Sequence, residues 1–426
     1  FSAQYLVPGD APPLAGGALV ARRGRIVARG TLAQMRKSFP QANCVDFGAA
    51  LLVPLLVNAH THLELSNFPQ WQRQSHEGQQ EPAGFVDWIL QLIRVKRDVT
   101  PQQYRSALAH GIELSLAAGT GAVGDILAHH GARDLYRHSL LSGRLFLETL
   151  GQDPAAIEQL RKALYKLLEE ETCGELQLGI SPHAPYTLRE SYLRRLYRDC
   201  RQRGIGSSTH LAESAEEVAF VRDARGEIAS RLYPFIGWEG FLPPAKGLRP
   251  VAYLDRQGGL FPQNLLVHGV QLEDAEIALL AERGMHLVLC PRSNARLKVG
   301  RAAAGKLHRA GVKLALGTDS LASCDSLSIW DEMAFAQQQF AGELDAPTLF
   351  QLATRGGAAA LGLATEMTLK VGQPADFQVL QPATMVAPHE IFDYFVAPGR
   401  QRDIVKVVRR GKSIRSWMHE PGAADD

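Results

Sequence analysis

The stretch Val57-Asn58-Ala59-His60-Thr61-His62-Leu63-Glu64 places two histidines one residue apart at the end of a short apolar run. Alternate residues of a β-strand share one face, so His60 and His62 can reach the same ion. Neutral imidazole is a common zinc ligand, and catalytic zinc sites combine three protein ligands with an open position. A His-x-His pair alone is a weak signal, because such pairs also occur on solvent-facing strands. The rest of the chain must supply further ligands.

The middle of the chain alternates apolar runs with amphipathic stretches, which is typical of a parallel sheet with crossover helices. Eight apolar runs cover residues 51–57, 121–123, 145–150, 176–180, 204–208, 265–267, 287–290 and 312–317. Stretches with helical spacing cover residues 85–97, 101–118, 155–171, 190–203, 213–224, 274–283 and 303–310. Eight such units predict an α/β fold, a (β/α)8 TIM-like barrel. An open doubly wound sheet is the alternative, but no Gly-x-Gly-x-x-Gly follows the first strand.

Polar residues stand where these runs end. They are His60, His62, Asp125, Glu148, His183, His210, His268 and Asp319. In a barrel, the carboxyl ends of all strands meet at one face, where catalytic residues collect. A structural role is the more common interpretation of one such histidine, but several in register with successive strands favour a shared site. His210 and Asp319 would complete a set of three histidines and one aspartate, with water in the remaining position.

Both ends of the chain have the short alternating runs and turns of β-hairpins. Because chain termini commonly lie close together, we predict one small β-sandwich domain from residues 1–53 and 364–426, flanking a barrel of residues 54–363. Two separate hairpins are the alternative, although isolated hairpins are only marginally stable.

Composition limits the classes of partner. The 426 residues carry a formal net charge of +2, with 46% hydrophobic and 21% charged residues. This balance gives no electrostatic reason to expect nucleic acid or a membrane surface. The longest apolar run, 49–57, is too short to span a bilayer. Five cysteines without a Cys-x-x-Cys pair suit a reducing cytoplasm. We therefore expect a cytoplasmic protein with a small-molecule substrate, and a homodimer is compatible with the sequence.

Five motifs together resemble the amidohydrolase superfamily. They occupy residues 57–64, 181–185 (Ser-Pro-His-Ala-Pro), 210–214 (His-Leu-Ala-Glu-Ser), 266–268 (Leu-Val-His) and 317–320 (Gly-Thr-Asp-Ser). The resemblance covers almost the whole chain, including Lys-Val-Gly-Gln-Pro-Ala-Asp at 370–376. It is closest to the cytosine/adenosine deaminase and chlorohydrolase-like branch, which includes S-adenosylhomocysteine and aminodeoxyfutalosine deaminases. Glu-Leu-Ser at 64–66, followed by Gly-Phe-Val-Asp-Trp at 84–88, is most similar to the aminodeoxyfutalosine enzymes.

The resemblance implies a role for each site residue. The implied ligands of one divalent ion, Zn²⁺ or Fe²⁺, are His60, His62, His210 and Asp319. Glu213 would carry a proton to a ring nitrogen, and His268 would orient the attacking water or the developing oxyanion. Asp319 would also accept a proton from the water. Residues 176–181 contain no lysine, which favours a single ion, because binuclear members of the superfamily use a carboxylated lysine there.

Three residues at the barrel mouth are implied substrate contacts: His183, Glu148 and Trp88. Trp88 ends a long loop, 64–88, whose other aromatic residues are Phe68, Trp71 and Phe85. These rings suit a flat heterocycle or a ribosyl group, or they close a core. The chain departs from the family at Leu55, where glycine is usual, and at Gln271, where a second histidine is common. The second departure affects a substrate contact and not the metal.

The resemblance implies a metal-dependent hydrolytic deaminase of an adenine-type nucleoside. Aminodeoxyfutalosine is the favoured substrate, with S-adenosylhomocysteine or methylthioadenosine as alternatives. A metal-dependent chlorohydrolase or amidase is the nearest rival, because the pocket selects the leaving group. A catalytically inactive scaffold is the remaining alternative, although such relatives would be expected to lose ligands that this chain keeps.

Overall fold

The computed structural model of the chain describes residues 1–75, 81–170 and 173–414. Its strands are β1 (Tyr5–Leu6), β2 (Leu14–Ala15), β3 (Gly17–Arg22), β4 (Arg25–Thr31), β5 (Leu51–Pro54), β6 (Leu56–Thr61), β7 (Thr120–Leu127), β8 (Ser142–Thr149), β9 (Glu175–Pro182), β10 (Ser207–Leu211), β11 (Asn264–His268), β12 (His286–Leu289), β13 (Lys313–Leu316), β14 (Phe377–Leu380), β15 (Ile404–Arg409) and β16 (Lys412–Ser413).

The α-helices lie mainly between the barrel strands. They are α1 (Leu32–Ser38), α2 (Phe68–Gln74), α3 (Phe85–Lys96), α4 (Pro101–Ala117), α5 (Pro154–Glu170), α6 (Glu190–Arg203), α7 (Ala215–Asp223), α8 (Tyr233–Phe235), α9 (Pro250–Arg256), α10 (Asp274–Glu282), α11 (Pro291–Arg296), α12 (Ala304–Arg309), α13 (Ile329–Gln339), α14 (Ala346–Gln351), α15 (Gly357–Ala360) and α16 (Ile391–Phe395). The predicted stretch 155–171 ends at residue 171, which lies outside the described residues.

Eight parallel strands, β6 to β13, form the predicted barrel in chain order. The first and last strands meet through a parallel bridge between Thr61 and Asp319. A Cβ atom at Gly317 would lie 2.8 Å from the carbonyl oxygen of His60, so glycine lets the two strands approach at this seam. Since the seam joins the His-x-His strand to the strand that precedes Asp319, closing the barrel brings the two predicted ligand sources together. The TIM-like barrel is confirmed.

Strands from both chain ends build the smaller β domain. Its six-stranded sheet has the order β16-β15-β14-β5-β1-β2, and β3 pairs with β4 in a separate hairpin. β5 is antiparallel to β14 and parallel to β1, so it joins the two ends of the chain. A buried apolar cluster that includes Leu6, Leu19, Phe377 and Val408 connects the hairpin to the sheet. The prediction of one joint β domain is confirmed, whereas its residue bounds stay a prediction, and residues 415–426 lie outside the described residues.

Two of the predicted runs differ from the strands. The run 51–57 is divided: β5 belongs to the small domain, and the chain enters the barrel as β6 at Leu56. The run 204–208 begins too early, because Gly204 ends α6 in the left-handed conformation with φ 66°, and β10 starts at Ser207. Apolar character alone does not separate a strand from the turn that leads into it.

Among the described residues, no helix is both long enough and apolar enough to cross a membrane.

Candidate active site

Histidine and aspartate side chains meet at the carboxyl ends of the barrel strands. The Nε2 atoms of His60 and His62 lie 3.8 and 3.6 Å from Asp319 Oδ1. The ring centroid of His210 lies 4.9 Å from that of His60 and 5.5 Å from that of His62. The structure therefore brings together the four residues that the sequence assigned to one ion. They come from β6 and the residue directly after it, from β10, and from the segment after β13.

The donor set fits a divalent ion. Within the described chain, two groups have ligand atoms all within 4.8 Å of one another: His60 with His62 and Asp319, and His60 with His210 and His268. His60 is fully buried, and neither of its ring nitrogens has a hydrogen-bond partner among the described residues. Buried polar atoms are rarely left unpaired, so an unpartnered imidazole here is what a metal ligand requires. The second group makes His268 a neighbour of the ligands as well as of Glu213.

Burial keeps the cluster in the protonation state that metal binding needs. Burial lowers the pKa of His60 well below its ordinary value, and the neighbouring histidines lower it further. Burial also lowers the pKa of His210 well below its ordinary value, with His183 as the next cause. Both imidazoles are therefore neutral near pH 7, and each has a lone pair to donate.

Hydrogen bonds orient two of the ligands. His210 Nδ1 donates to the backbone oxygen of His183 at 2.8 Å, which leaves Nε2 for the ion. Asp319 Oδ2 accepts from the Ser293 hydroxyl at 2.7 Å and from the Ser323 hydroxyl at 2.8 Å. Oδ1 therefore remains on the side of the histidines. Such outer partners set ligand orientation and metal affinity.

Glu213 and His268 face each other beside the cluster. Glu213 Oε1 lies 3.7 Å from His268 Nε2, and only 6% of Glu213 is exposed. Burial raises the pKa of Glu213 well above its ordinary value, and the charges of Asp319 and Glu216 add to this effect. His268 Nδ1 donates to Asn294 Oδ1 at 2.9 Å, so its Nε2 is free to accept. A carboxyl whose protonated form is favoured by burial and the Nε2 atom of His268 thus face each other.

Backbone strain marks the turns that carry these groups. Ala212, His268 and Asp319 have φ values of 51°, 75° and 60°, in the left-handed region that non-glycine residues seldom adopt. Ala212 directly follows β10, His268 ends β11, and Asp319 lies three residues after β13. Such strain persists where surrounding contacts hold it, and it clusters at functional sites.

The predicted substrate contacts lie around the cluster at different depths. His183 and Glu148 are both half-buried, with Nε2 and Oε1 4.0 Å apart. Trp88 is half-buried and stacks on Phe85, and its indole N–H donates to the Ala322 carbonyl at 3.1 Å. Trp88 therefore connects α3 to the segment after Asp319. Direct contact of these three residues with substrate stays a prediction.

The other aromatic residues of the 64–88 loop close a core. Phe68 is 2% exposed, Trp71 is 6% exposed and Phe85 is 3% exposed, each within an apolar cluster. Asp125, which also stands at a strand end, is a structural group: Oδ1 accepts from Leu63 N–H and Oδ2 from the Tyr136 hydroxyl. The strand-end rule, by which polar residues at the ends of barrel strands belong to the site, places Asp125 correctly. It does not distinguish a metal ligand from a residue that supports a loop.

Sequence reasoning missed Ser293, Asn294, Ser323 and Glu217. The first two follow the seventh apolar run in Cys290-Pro291-Arg292-Ser293-Asn294, so the strand-end rule could have found them. The roles of Ser323 and Glu217 depend on how their loops fold back, and no spacing in the sequence indicates this.

The sequence model of the amidohydrolase family matches residues 51–414. The chain belongs to the amidohydrolase family. An aminodeoxyfutalosine deaminase of Deinococcus radiodurans is 32% identical over 81% of this chain and 81% of its own length. A 5-methylthioadenosine/S-adenosylhomocysteine deaminase of Nitratidesulfovibrio vulgaris is 30% identical over 88% of this chain and 83% of its own length.

A solved structure has the same fold. Helicobacter pylori aminofutalosine deaminase superposes with a TM-score of 0.83 at 21% identity, over 97% of this chain and 99% of that one. The predicted family and the predicted reaction class, hydrolytic deamination of an adenine nucleoside, are confirmed by these relatives together with the family match. A divalent metal fits both the family and the histidine-rich cluster.

Proposed function

We propose that this chain is a metal-dependent hydrolytic deaminase of adenine nucleosides extended at the 5′ position, with aminodeoxyfutalosine as the favoured substrate. Methylthioadenosine and S-adenosylhomocysteine are the alternatives. The observation that carries the chemistry is the buried acid Glu213, 3.7 Å from His268, beside three histidines and an aspartate. The similarity to an aminodeoxyfutalosine deaminase at 32% identity supports the choice of substrate.

His60, His62, His210 and Asp319 would hold one divalent ion, and we propose zinc, with Fe²⁺ as the alternative, since these ligands accept both. When bound, such an ion makes hydroxide available near neutral pH by lowering the pKa of a coordinated water to roughly 7. We infer that Asp319 also accepts the proton of the attacking water. The bonds of Oδ2 to two serine hydroxyls, which leave Oδ1 facing the histidines, support this role.

Glu213 and His268 act on the substrate's ring and on the oxygen that attacks it. The raised pKa of Glu213 keeps a proton on its carboxyl, which Glu213 donates to the ring nitrogen as oxygen adds to the amino-bearing carbon. The amino group then gains the proton that Asp319 accepted, and the carbon–nitrogen bond breaks to release ammonia. The added hydroxyl gives up its proton to restore Glu213, and the ring keeps a carbonyl. His268 would orient the attacking oxygen through Nε2, and the bond from Nδ1 to Asn294 supports this role because it fixes the ring.

His183, Glu148 and Trp88 are the proposed substrate contacts. A half-buried imidazole and carboxylate 4.0 Å apart can bond ribose or base edges, and the Trp88 indole offers an apolar face. A cytoplasmic location and a homodimer also stay predictions.

Ammonia release tests the proposal. Zinc-loaded protein would be assayed with aminodeoxyfutalosine, methylthioadenosine, S-adenosylhomocysteine, adenosine, free adenine and cytosine, together with a chlorinated triazine. We expect the highest kcat/KM for a nucleoside extended at the 5′ position. Free adenine or cytosine as the best substrate would contradict the nucleoside assignment. Chloride release without ammonia from any amine would replace the deaminase with a chlorohydrolase.

A further inference from the structure

A second buried glutamate, Glu217, holds the turn that carries Glu213. Its Oε1 accepts from Ala212 N–H and its Oε2 accepts from Glu213 N–H, each at 2.9 Å. Glu217 is fully buried. Both backbone donors would otherwise lack a partner at a buried helix start, which costs about 1–3 kcal/mol for each group. One side chain therefore satisfies two consecutive amides of the catalytic turn.

The turn needs such support because its backbone is strained. Ala212 has φ 51°, a conformation that costs non-glycine residues about 1 kcal/mol or more. Ser214 is the N-cap residue of α7, and its hydroxyl accepts from Glu217 N–H at 3.2 Å, so Glu217 is itself anchored at the first turn of the helix. The Ala212 carbonyl accepts from Gln271 N–H at 2.8 Å, which ties the same turn to the segment after β11.

The turn lies next to three groups of the proposed reaction. His210 is two residues before Ala212 on β10, Glu213 follows Ala212, and His268 Nε2 lies 3.7 Å from Glu213 Oε1. β10 fixes His210 independently, through its strand pairing and the bond from Nδ1 to the His183 carbonyl. Glu213 lies beyond the strand and has no such pairing, so its position depends on the contacts of Glu217.

We propose that Glu217 is a positioning residue for Glu213: its carboxyl binds the two amides of the turn and thereby sets where the Glu213 carboxyl meets the ring nitrogen. This inference rests on the proposed function and assigns Glu217 no contact with substrate or metal. Because proton transfer requires hydrogen-bond distance, a shift of about 1 Å in Glu213 can cost 10²-fold in rate while binding is retained.

Glu217→Gln is the direct test. The glutamine carbonyl can accept one amide, but its NH₂ group faces the other amide and cannot accept it, so one of the two bonds is lost. We expect kcat to fall roughly 10- to 100-fold, with KM and metal content within about twofold of wild type. Glu282→Gln is the matched control, since it makes the same exchange at an exposed carboxyl at the end of α10, and its kcat should stay within about threefold of wild type.

A double variant separates positioning from general stabilisation. In a Glu213→Gln background the position of residue 213 no longer limits proton transfer, so adding Glu217→Gln should lower the residual kcat by less than about twofold. An equal loss in both backgrounds, or wild-type kcat in Glu217→Gln alone, would overturn the inference. If Glu217→Gln does not fold, Ser214→Ala takes its place, with a smaller loss expected in the wild-type background and none in the Glu213→Gln background. Absence of ammonia release by the wild type would instead refute the proposed function.

Discussion

Replacing Asp125 with asparagine should change how the stability of the protein depends on pH. Asp125 is fully buried, and burial raises the pKa of its carboxyl to about 8, against the smaller lowering effects of the bonds from Leu63 N–H and the Tyr136 hydroxyl. Asparagine keeps the acceptor for Leu63 at 2.8 Å and can donate to the Tyr136 oxygen, so the substitution removes the titration with little change in shape.

The pKa shift sets the size and direction of the effect. Unfolded aspartate ionises near 3.9, whereas the folded state keeps its proton up to about pH 8. Between these values the folded state binds more protons, so the stability due to Asp125 is complete below about pH 4 and is lost as pH rises through 8. The slope is at most about 1.4 kcal/mol per pH unit, which gives roughly 3 kcal/mol between pH 5 and pH 7.

Urea unfolding of metal-free wild type and Asp125→Asn at pH 5, 6 and 7 measures this difference. Metal must be removed because its binding has its own pH dependence. The unfolding free energy of the wild type, relative to the variant, should fall steadily as pH rises. Asp134→Asn is the control: Arg105 lowers the pKa of Asp134, which is therefore ionised in both states over this range, and its difference should stay constant. A constant difference for Asp125→Asn as well would refute the assignment of a protonated buried carboxyl.

Three substitutions test the surroundings of the cluster. Ser323→Ala removes one of the two hydroxyls that bond Asp319 Oδ2, so we expect zinc affinity to fall about 10-fold or more in competition with a chromogenic chelator. Unchanged affinity would show that the bond does not orient Asp319. Asn294→Leu leaves His268 Nδ1 without its acceptor, so kcat should fall about 10-fold at constant metal content, whereas loss of metal would make His268 a ligand. His60→Ala should remove both metal and activity in elemental analysis and ammonia assays, and an active, metal-loaded variant would contradict the assigned set.

The barrel and the cluster could be predicted because both follow from local patterns. Parallel strands that are buried on both faces form short apolar runs, and β6 to β13 correspond to the eight that were found. His60, His210 and His268 each follow an apolar run by one to three residues, and barrel geometry alone brings strand ends to one face. Residues far apart in the chain could therefore be assigned to one site without any knowledge of the loops.

The supports of the site could not be predicted in this way. Glu217 bonds amides four and five residues before it, and Ser323 bonds a carboxyl four residues before it, across turns whose path depends on tertiary packing. The division of 51–57 between two sheets also depends on tertiary packing. Pro54 and Leu56 are both apolar and buried, but Pro54 pairs with Phe377 of β14, whereas Leu56 pairs with Thr120 of β7. Burial of Phe68 and Trp71 likewise depends on how α2 packs against α4.

The most direct test of the account is the metal content and ammonia release of Glu213→Gln, measured on the same preparation with a 5′-extended adenine nucleoside. Glutamine cannot carry the proton but preserves the shape of the site, so the account predicts about one divalent ion per chain and a kcat lowered roughly 10²- to 10⁴-fold. A kcat equal to that of the wild type would contradict the role of Glu213 as the proton carrier. Loss of the ion together with the rate would make Glu213 a ligand and contradict the assignment of His60, His62, His210 and Asp319 as the complete set.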